Sequence, residues 1–484
     1  MNFFTRLSRK QREPLSFAPE KSPSHCGKKI GFVLLSAVLG TAFLQSGCSG
    51  PSGKELAEAQ KAYERKDYNR ALALSDAILQ KTPASLPAHR IRALSYVAEG
   101  SVESAFNDYD SVEKKYPEIA PQLLKEIAIG AIQQSMTHEN YFVRSAAVKA
   151  VGEMGDPQFA ALIIPGLRDT APFVRFFTVE SLGQLGGPDT LKLLLAAGKD
   201  PDGMVRVAVV KTLDEMADTK DGGSGGVEIN HVLATFINDS DITVRLFALA
   251  GMAKRGDGQA FSRLVEAIGA LPPQAHAAAA AALGRSKNPA AVPLLVKFIG
   301  NTDGTLRMYA AEAMGELSSP DLFAPLSKAI ADSDPAVRGA AGTSLGKLGD
   351  ARAVPFLTQA LQDPDPIVRV SAGEGLRRLG KKETAVFQAA LSEKDYAIRH
   401  FTIGSLRKIG GKEELPLLEK ASKDEAPRVR IAAIRAIGEI GGPEVIPILK
   451  ESLKDPDLSV RTYAAGNVGR VLNRAAGKDV KRGG

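Results

Sequence analysis

The chain has no tryptophan, two cysteines and six histidines in 484 residues, and each scarcity excludes a class of chemistry. The histidines (His25, His89, His138, His231, His276, His400) are scattered, with no His-x-x-x-His or Cys-x-x-Cys spacing that would hold a metal. No Gly-x-Ser-x-Gly elbow, phosphate loop or dinucleotide fingerprint is present, so no cofactor and no catalytic residue is assigned. Asp202-Gly203 and Asp303-Gly304 lack the further carboxylates of a calcium loop and read as turns. The apolar run from Ile30 to Leu44 spans fifteen residues, short of the roughly 20 that a transmembrane helix needs.

That run follows Arg6, Arg9, Lys10, Arg12, Lys21, Lys28 and Lys29 and ends in Gln45, Ser46, Gly47 and Cys48, the layout of an export signal. Small residues directly before Cys48 resemble a bacterial lipobox, although Gln45 stands where leucine is usual. The resemblance implies cleavage after residue 47, acylation of Cys48 and a periplasmic, membrane-anchored protein. Ser49, in place of an aspartate that would retain it at the inner membrane, points to the outer membrane. The alternative is an uncleaved signal anchor with an unmodified cysteine. Residues 1–47 hold seven Lys/Arg and two acids, so their removal takes five charges from the formal +7 and leaves +2. A chain this near neutral carries no nucleic-acid footprint. With Cys26 gone and Cys48 acylated, no disulfide remains.

What the sequence has in quantity is periodicity. Arg144, Arg175, Arg206, Arg245, Arg307, Arg338, Arg369, Arg399, Arg430 and Arg461 recur every 31 residues, apart from an eight-residue excess after Arg206 and one deletion before Arg399, and His276 fills the missing slot. An apolar residue precedes each arginine, and Asp169, Asp200, Asp239, Asp332, Asp363, Asp424 or Asp455 lies six residues upstream, where it reads as a helix start. Gly155, Gly186, Gly256, Gly349, Gly380, Gly410 and Gly441, each eleven residues past its arginine, read as helix stops. Prolines such as Pro157 and Pro320 open a second helix with its own apolar stripe. Each unit is therefore two antiparallel helices, too small to bury a core alone. The glycine-rich stretch Asp218 to Gly226 accounts for the excess and reads as a flexible loop.

The pattern Asp-x-Asp-Pro-x-Val-Arg, then Ala-x-x-x-Leu-Gly-x-Leu-Gly, clearest over residues 332–361, resembles the short HEAT-like repeat named after the phycobilisome lyases. That resemblance implies a ladder in which aspartate and arginine link successive repeats, as for Asp169 with Arg175, Asp200 with Arg206, Asp239 with Arg245, Asp332 with Arg338, Asp363 with Arg369, Asp424 with Arg430 and Asp455 with Arg461. The alternative, an anion-binding strip, is disfavoured because an aspartate matches the arginine in most units. Upstream, Ala59 and Ala93, Ala71 and Ala105, Ser75 and Tyr109, and Pro83 and Pro117 are pairs 34 residues apart, a spacing that resembles tetratricopeptide repeats.

The expectation is an all-α, right-handed α-solenoid: a lipoprotein signal at 1–47, a lipidated linker at 48–52, two tetratricopeptide-like repeats with a packing helix at 53–136, eleven HEAT-like repeats at 137–475 and a disordered basic tail at 476–484. If the arginine helices line a concave face, the residue after each arginine faces the groove, and Phe176, Leu246, Met308 and His400 become candidate partner-binding positions. The alternative is that they pack between repeats. The function expected is a non-enzymatic scaffold that binds an envelope protein or peptide; the other reading is a lyase-like enzyme or enzyme subunit related to the phycobilin lyases.

Overall fold

A computed structural model describes residues 51–218, 225–272 and 275–477. The signal, Cys48, the tail from 478 and residues 219–224 of the glycine-rich insert lie outside the described residues. The chain divides into Met1–Lys54 and Glu55–Gly484, and the second unit holds the whole array. No strand occurs among the described residues, so the expected all-α solenoid is present.

Five helices come first: α1 (Pro51–Glu64), α2 (Tyr68–Lys81), α3 (Leu86–Ala98), α4 (Val102–Lys115) and α5 (Ala120–Met136). Ala59, Ala71, Ala93 and Ala105 are fully buried, so it is the alanines at the 34-residue spacing that let these helices approach. Ser75 and Tyr109, also paired at that spacing, are buried too.

The arginine slots then fall on eleven long helices that form an inner layer. They are α6 (Tyr141–Met154), α8 (Pro172–Leu185), α10 (Gly203–Ala217), α12 (Ile242–Lys254) and α14 (His276–Arg285), followed by α16 (Gly304–Leu317), α18 (Pro335–Leu348), α20 (Pro366–Arg378), α22 (Tyr396–Ile409), α24 (Pro427–Ile440) and α26 (Leu458–Ala475). Shorter helices alternate with them as an outer layer: α7 (Ala160–Ile163), α9 (Thr190–Ala197), α11 (Gly225–Ala234), α13 (Gly258–Gly269) and α15 (Val292–Ile299), then α17 (Phe323–Ala329), α19 (Val354–Ala360), α21 (Ala385–Ala390), α23 (Leu415–Ala421) and α25 (Ile446–Ser452).

Seven of the eleven long helices do begin on an aspartate, but not on the one expected. The cap stands four residues before the arginine: Asp334 Oδ1 accepts from the Ala336 N–H at 2.8 Å, and Asp202, Asp241, Asp303, Asp365, Asp395 and Asp457 cap in the same way. The aspartate two residues earlier lies outside the helix and accepts from the N–H of the capping residue, as Asp332 does from Asp334 at 2.8 Å. At the other end the seven predicted glycines all have φ between 68° and 88°. The slot demands that conformation even without glycine, since Lys287 and Ser318 adopt it at 50° and 56°.

A second glycine, eight residues after the arginine, sets the helix spacing. A Cβ on Gly152 would lie 2.6 Å from Ser181 Oγ, and one on Gly346 would lie 2.4 Å from the Gly375 Cα of the next helix. Inner helices thus approach more closely than ordinary side chains allow, and the layer curves. The curvature brings the two ends together: α26 packs directly on α6 and on α5. Eleven inner helices closing a circuit turn by an average of about 33° each. The groove of an open superhelix, expected from the repeat pattern, is therefore replaced by an enclosed inner face. No helix of the described residues is long and apolar enough to cross a membrane.

Candidate functional site

The arginines join successive repeats, with a register shifted by one unit from that expected. Arg338 does not reach the Asp332 carboxylate of its own repeat; Nε and Nη2 donate to Asp363 of the following repeat at 2.7 and 2.9 Å, and Nη1 donates to the Asp332 carbonyl at 2.9 Å. The same fork joins Arg144 to Asp169, Arg175 to Asp200, Arg206 to Asp239, Arg307 to Asp332, Arg399 to Asp424 and Arg430 to Asp455. Burial raises the Asp363 carboxyl, but the Arg338 fork and the Asp365 N–H outweigh it and hold it below the ordinary range. Arg338→Ala removes a bidentate, largely buried pair and should cost about 1–3 kcal/mol. Hydrogen exchange should quicken across 335–390, and unchanged protection there would disprove the role.

The ladder is interrupted at four joints. Arg245 keeps only carbonyl partners, including Asp239 O at 2.5 Å; Arg369 lies 3.7 Å from Glu393; Arg461 donates to the Asp455 and Pro456 carbonyls at 2.6 and 3.2 Å; and His276 instead stacks on Phe298 at 5.7 Å. At three of these joints a buried carboxylate at the opposite helix ends takes over. Asp214 of α10 accepts from Arg255 and Arg285, each at 2.7 Å, tying α12 and α14 to it. Glu374 of α20 pairs with Arg378 at 3.3 Å and with Lys408 of α22 at 3.7 Å. Glu153 of α6 accepts from Arg435 of α24 at 2.7 Å, across α26.

Glu153 therefore sits at the seam where the two ends of the array meet. Arg470 donates to its carbonyl at 2.6 Å, Asn473 donates to the Met154 carbonyl at 3.0 Å, and the Ser135 and Thr462 hydroxyls are 2.6 Å apart. Burial would raise the Glu153 carboxyl, but Arg435, Arg470 and Lys149 overcome it and hold it at about 2. Lys450 of α25 reaches back to Glu113 of α4 at 2.8 Å and lies over the Tyr109 ring at 4.3 Å. The amino-terminal helices thus clasp the last two repeats, α4 through Lys450 and α5 by packing on α26.

Along the inner face, cations rest on rings of the next helix. Lys149 Nζ lies 4.4 Å from the Phe177 ring, Lys211 lies 4.4 Å from Phe247, and the Arg435 guanidinium lies 5.3 Å from Tyr463. Burial, with Arg435 adding to it, lowers the Lys149 ammonium to about 8. A sequence signal was available for these pairs: the second residue after each slot alternates in size as Ala146, Phe177, Ala208, Phe247, Ala278 and Tyr309.

The four predicted partner-binding positions separate into two groups. Leu246 is fully buried and Met308 is 5% exposed, both inside the core, so neither presents a binding surface; the closed curvature turns this helix edge onto its neighbours. Phe176 and His400 are half-buried. Burial, then Arg428 and Arg435, lowers the His400 imidazole and keeps it neutral near pH 7. Phe176 belongs to a contiguous aromatic face not expected as a whole. Tyr141 and Phe142 are 4.2 Å apart, Phe142 is 6.1 Å from Phe173, and Phe173 meets Phe177 edge-on at 4.9 Å. Phe142 remains 54% exposed and Tyr141 39%. Among the described residues no group of three or more His, Cys, Asp or Glu is placed to hold a metal.

Residues 130–214, 229–308, 299–377 and 383–468 match the family described as HEAT repeats. Similar solved structures include human deoxyhypusine hydroxylase in complex with glycerol (21% identity, TM-score 0.28, 52% of this chain and 98% of that one). Another is the CpcE and CpcF complex of phycocyanin lyase from Nostoc (20% identity, TM-score 0.31, 59% of this chain and 94% of that one). A third is an engineered protein (17% identity, TM-score 0.26, 71% of this chain and 98% of that one). No curated protein matches the chain.

Proposed function

Because the chain belongs to the HEAT-repeat family, we propose that it is a non-enzymatic scaffold that binds an envelope protein or peptide through the aromatic face of α6 and α8. The observation that carries this reading is the pair Tyr141 and Phe142, exposed yet continuous with Phe173, Phe176 and Phe177. Large rigid rings add contact area at little entropic cost, which is why a few aromatic anchors dominate many interfaces. Changing Tyr141 and Phe142 together to serine should lower capture of a co-purifying envelope protein at least tenfold, roughly the loss of one interface anchor, while the helical melt stays within a few degrees of the parent. Intact capture by that variant would remove the assignment.

The scaffold is held at the periplasmic side of the cell envelope by a lipid on Cys48, preceded by a cleaved signal at 1–47, and α1–α4 are read as two tetratricopeptide-like repeats. Support for the anchor is the small-residue pair before Cys48 at the end of the apolar run. Cys48→Ser should abolish fatty-acid labelling. A native chain that takes up no labelled palmitate would refute the anchor and leave the scaffold reading standing.

A further inference from the structure

Two residues before each arginine slot lies a position on the first turn of the inner helix, seven residues ahead of the one that holds Lys149 and Arg435 and so on the same inner face. Together these positions form the rim of that face. Ten of them fall among the described residues, and Arg428 of α24 is the only charged one. It is exposed and pairs with no carboxylate among the described residues, while Glu425, three residues earlier, turns to Arg399 at 3.0 Å. Past Ser459 of α26 the rim turns apolar, with Phe142, Phe173 and Met204 in successive slots. Apart from Tyr141 and Phe142, Tyr396 of α22 is the one large apolar side chain exposed on this rim among the described residues, and it lies on the far side of Arg428. The stretch is also short of acid. On the inner faces of α24, α26 and α6 the cations Arg428, Arg435, Arg470 and Lys149 outnumber the carboxylates Glu439 and Glu153, and both carboxylates are already engaged in ion pairs. Burial first, then Arg428 and Arg435, lower the His400 imidazole of α22, so the excess charge is felt on this side of the rim.

We propose that the rim from α24 to α8 binds an extended acidic segment of a protein partner, with an Asp or Glu side chain on Arg428 and apolar side chains on the rings of Phe142 and Phe173. This rests on the reading of the aromatic face as a protein-binding surface and adds what the partner must carry. Charge complementarity names the acid, because a free guanidinium presents parallel N–H donors that a carboxylate fills. One cation in ten slots is too few for a phosphate backbone, which draws a row of them. A single acidic side chain needs only one. Spacing sets the separation of the two anchors. A Cβ on Gly438 would meet Asn467 and one on Gly466 would meet Ala150, so the three inner helices lie close together. The backbones at 428 and 142 are then roughly 16 Å apart, at about 8 Å per helix step. Extended chain covers that distance in about five residues. Glu139, exposed in the loop just before Phe142, sets the direction because it repels an acid from the aromatic end.

The test uses random peptides of about twelve residues, displayed on phage through their carboxyl ends and selected against the full-length chain in detergent. Enriched sequences should share an Asp or Glu about five residues from an apolar pair. A fluorescein-labelled peptide of that consensus should lose at least about tenfold in affinity on Arg428→Ala, the usual worth of a hydrogen bond to a charged group. Tyr141→Ser combined with Phe142→Ser should cost a comparable factor, and neither variant should shift the helical melt. Reselection against Arg428→Glu should exchange the acid for Lys or Arg. An acid retained in that reselection would place the carboxylate elsewhere and overturn the inference. Peptides that need the rings, carry no acid and bind Arg428→Ala as tightly as the parent would also overturn it, yet leave the aromatic face standing. Peptides indifferent to the Tyr141 and Phe142 changes, or no enrichment at all, would remove both.

Discussion

Glu153→Ala should cost the protein about 3–5 kcal/mol and part the two ends of the array, because it strands a buried cation. The side chain is 3% exposed, and its loss leaves the nearly buried Arg435 without the carboxylate it pairs with, whereas Arg470 keeps Glu439 at 3.7 Å. Small-angle scattering should show an enlarged radius of gyration, and exchange should quicken in residues 141–154 and 458–475. Gly466→Val makes the same prediction without touching charge, since a Cβ there would lie 2.6 Å from the Ala150 carbonyl oxygen. An unchanged radius in both variants would mean that the seam does not depend on these contacts. The pH dependence follows from the lowered carboxyl: its stabilisation is complete above the ordinary glutamate value, declines as pH falls below that value, and is gone once pH has fallen through about 2. The seam should therefore persist under mildly acidic conditions.

Asp214→Ala should be comparably severe, about 3–5 kcal/mol, and local. The carboxylate is wholly buried and is met by Arg255, Arg285 and, at 3.8 Å, Lys254. At this bend the ladder offers Arg245 only carbonyl oxygens, and apart from the Arg206 fork to Asp239 the remaining pairs, Lys254 with Asp218 and Arg285 with Glu215, use exposed carboxylates. Exchange should rise across 203–285 while 458–475 keeps its protection. Equal loosening at both places would show that the array melts as one cooperative unit and that Asp214 is not a local staple.

The two carboxylates mark the boundary of what could be read from the chain. Arg338 and the Gly349 stop were legible because the 31-residue spacing repeats them in identical local settings, and a helix stop is decided within a few residues. The partner of Arg338 was not, because Asp332 is nearer in sequence while Asp363 is nearer in space. The apolar character of Leu246 and Met308 was plain, yet their role turned on the rotation of each helix within the layer. Neighbouring periods place a residue on a helix but leave its phase uncertain by about one position, enough to exchange an exposed face for a core.

By itself, then, the sequence determined the repeat: two helices per unit, the glycine stops, the arginine slots, and the solenoid that such units must build to bury their apolar stripes. Only the tertiary structure decided that the solenoid closes. A small turn at each joint, set by contacts such as that of Gly152 with Ser181, accumulates over eleven helices before it brings Glu153 to Arg435, 282 residues away. No local pattern carries that sum, because each joint constrains only its own angle, and closure exists only when all of them are added.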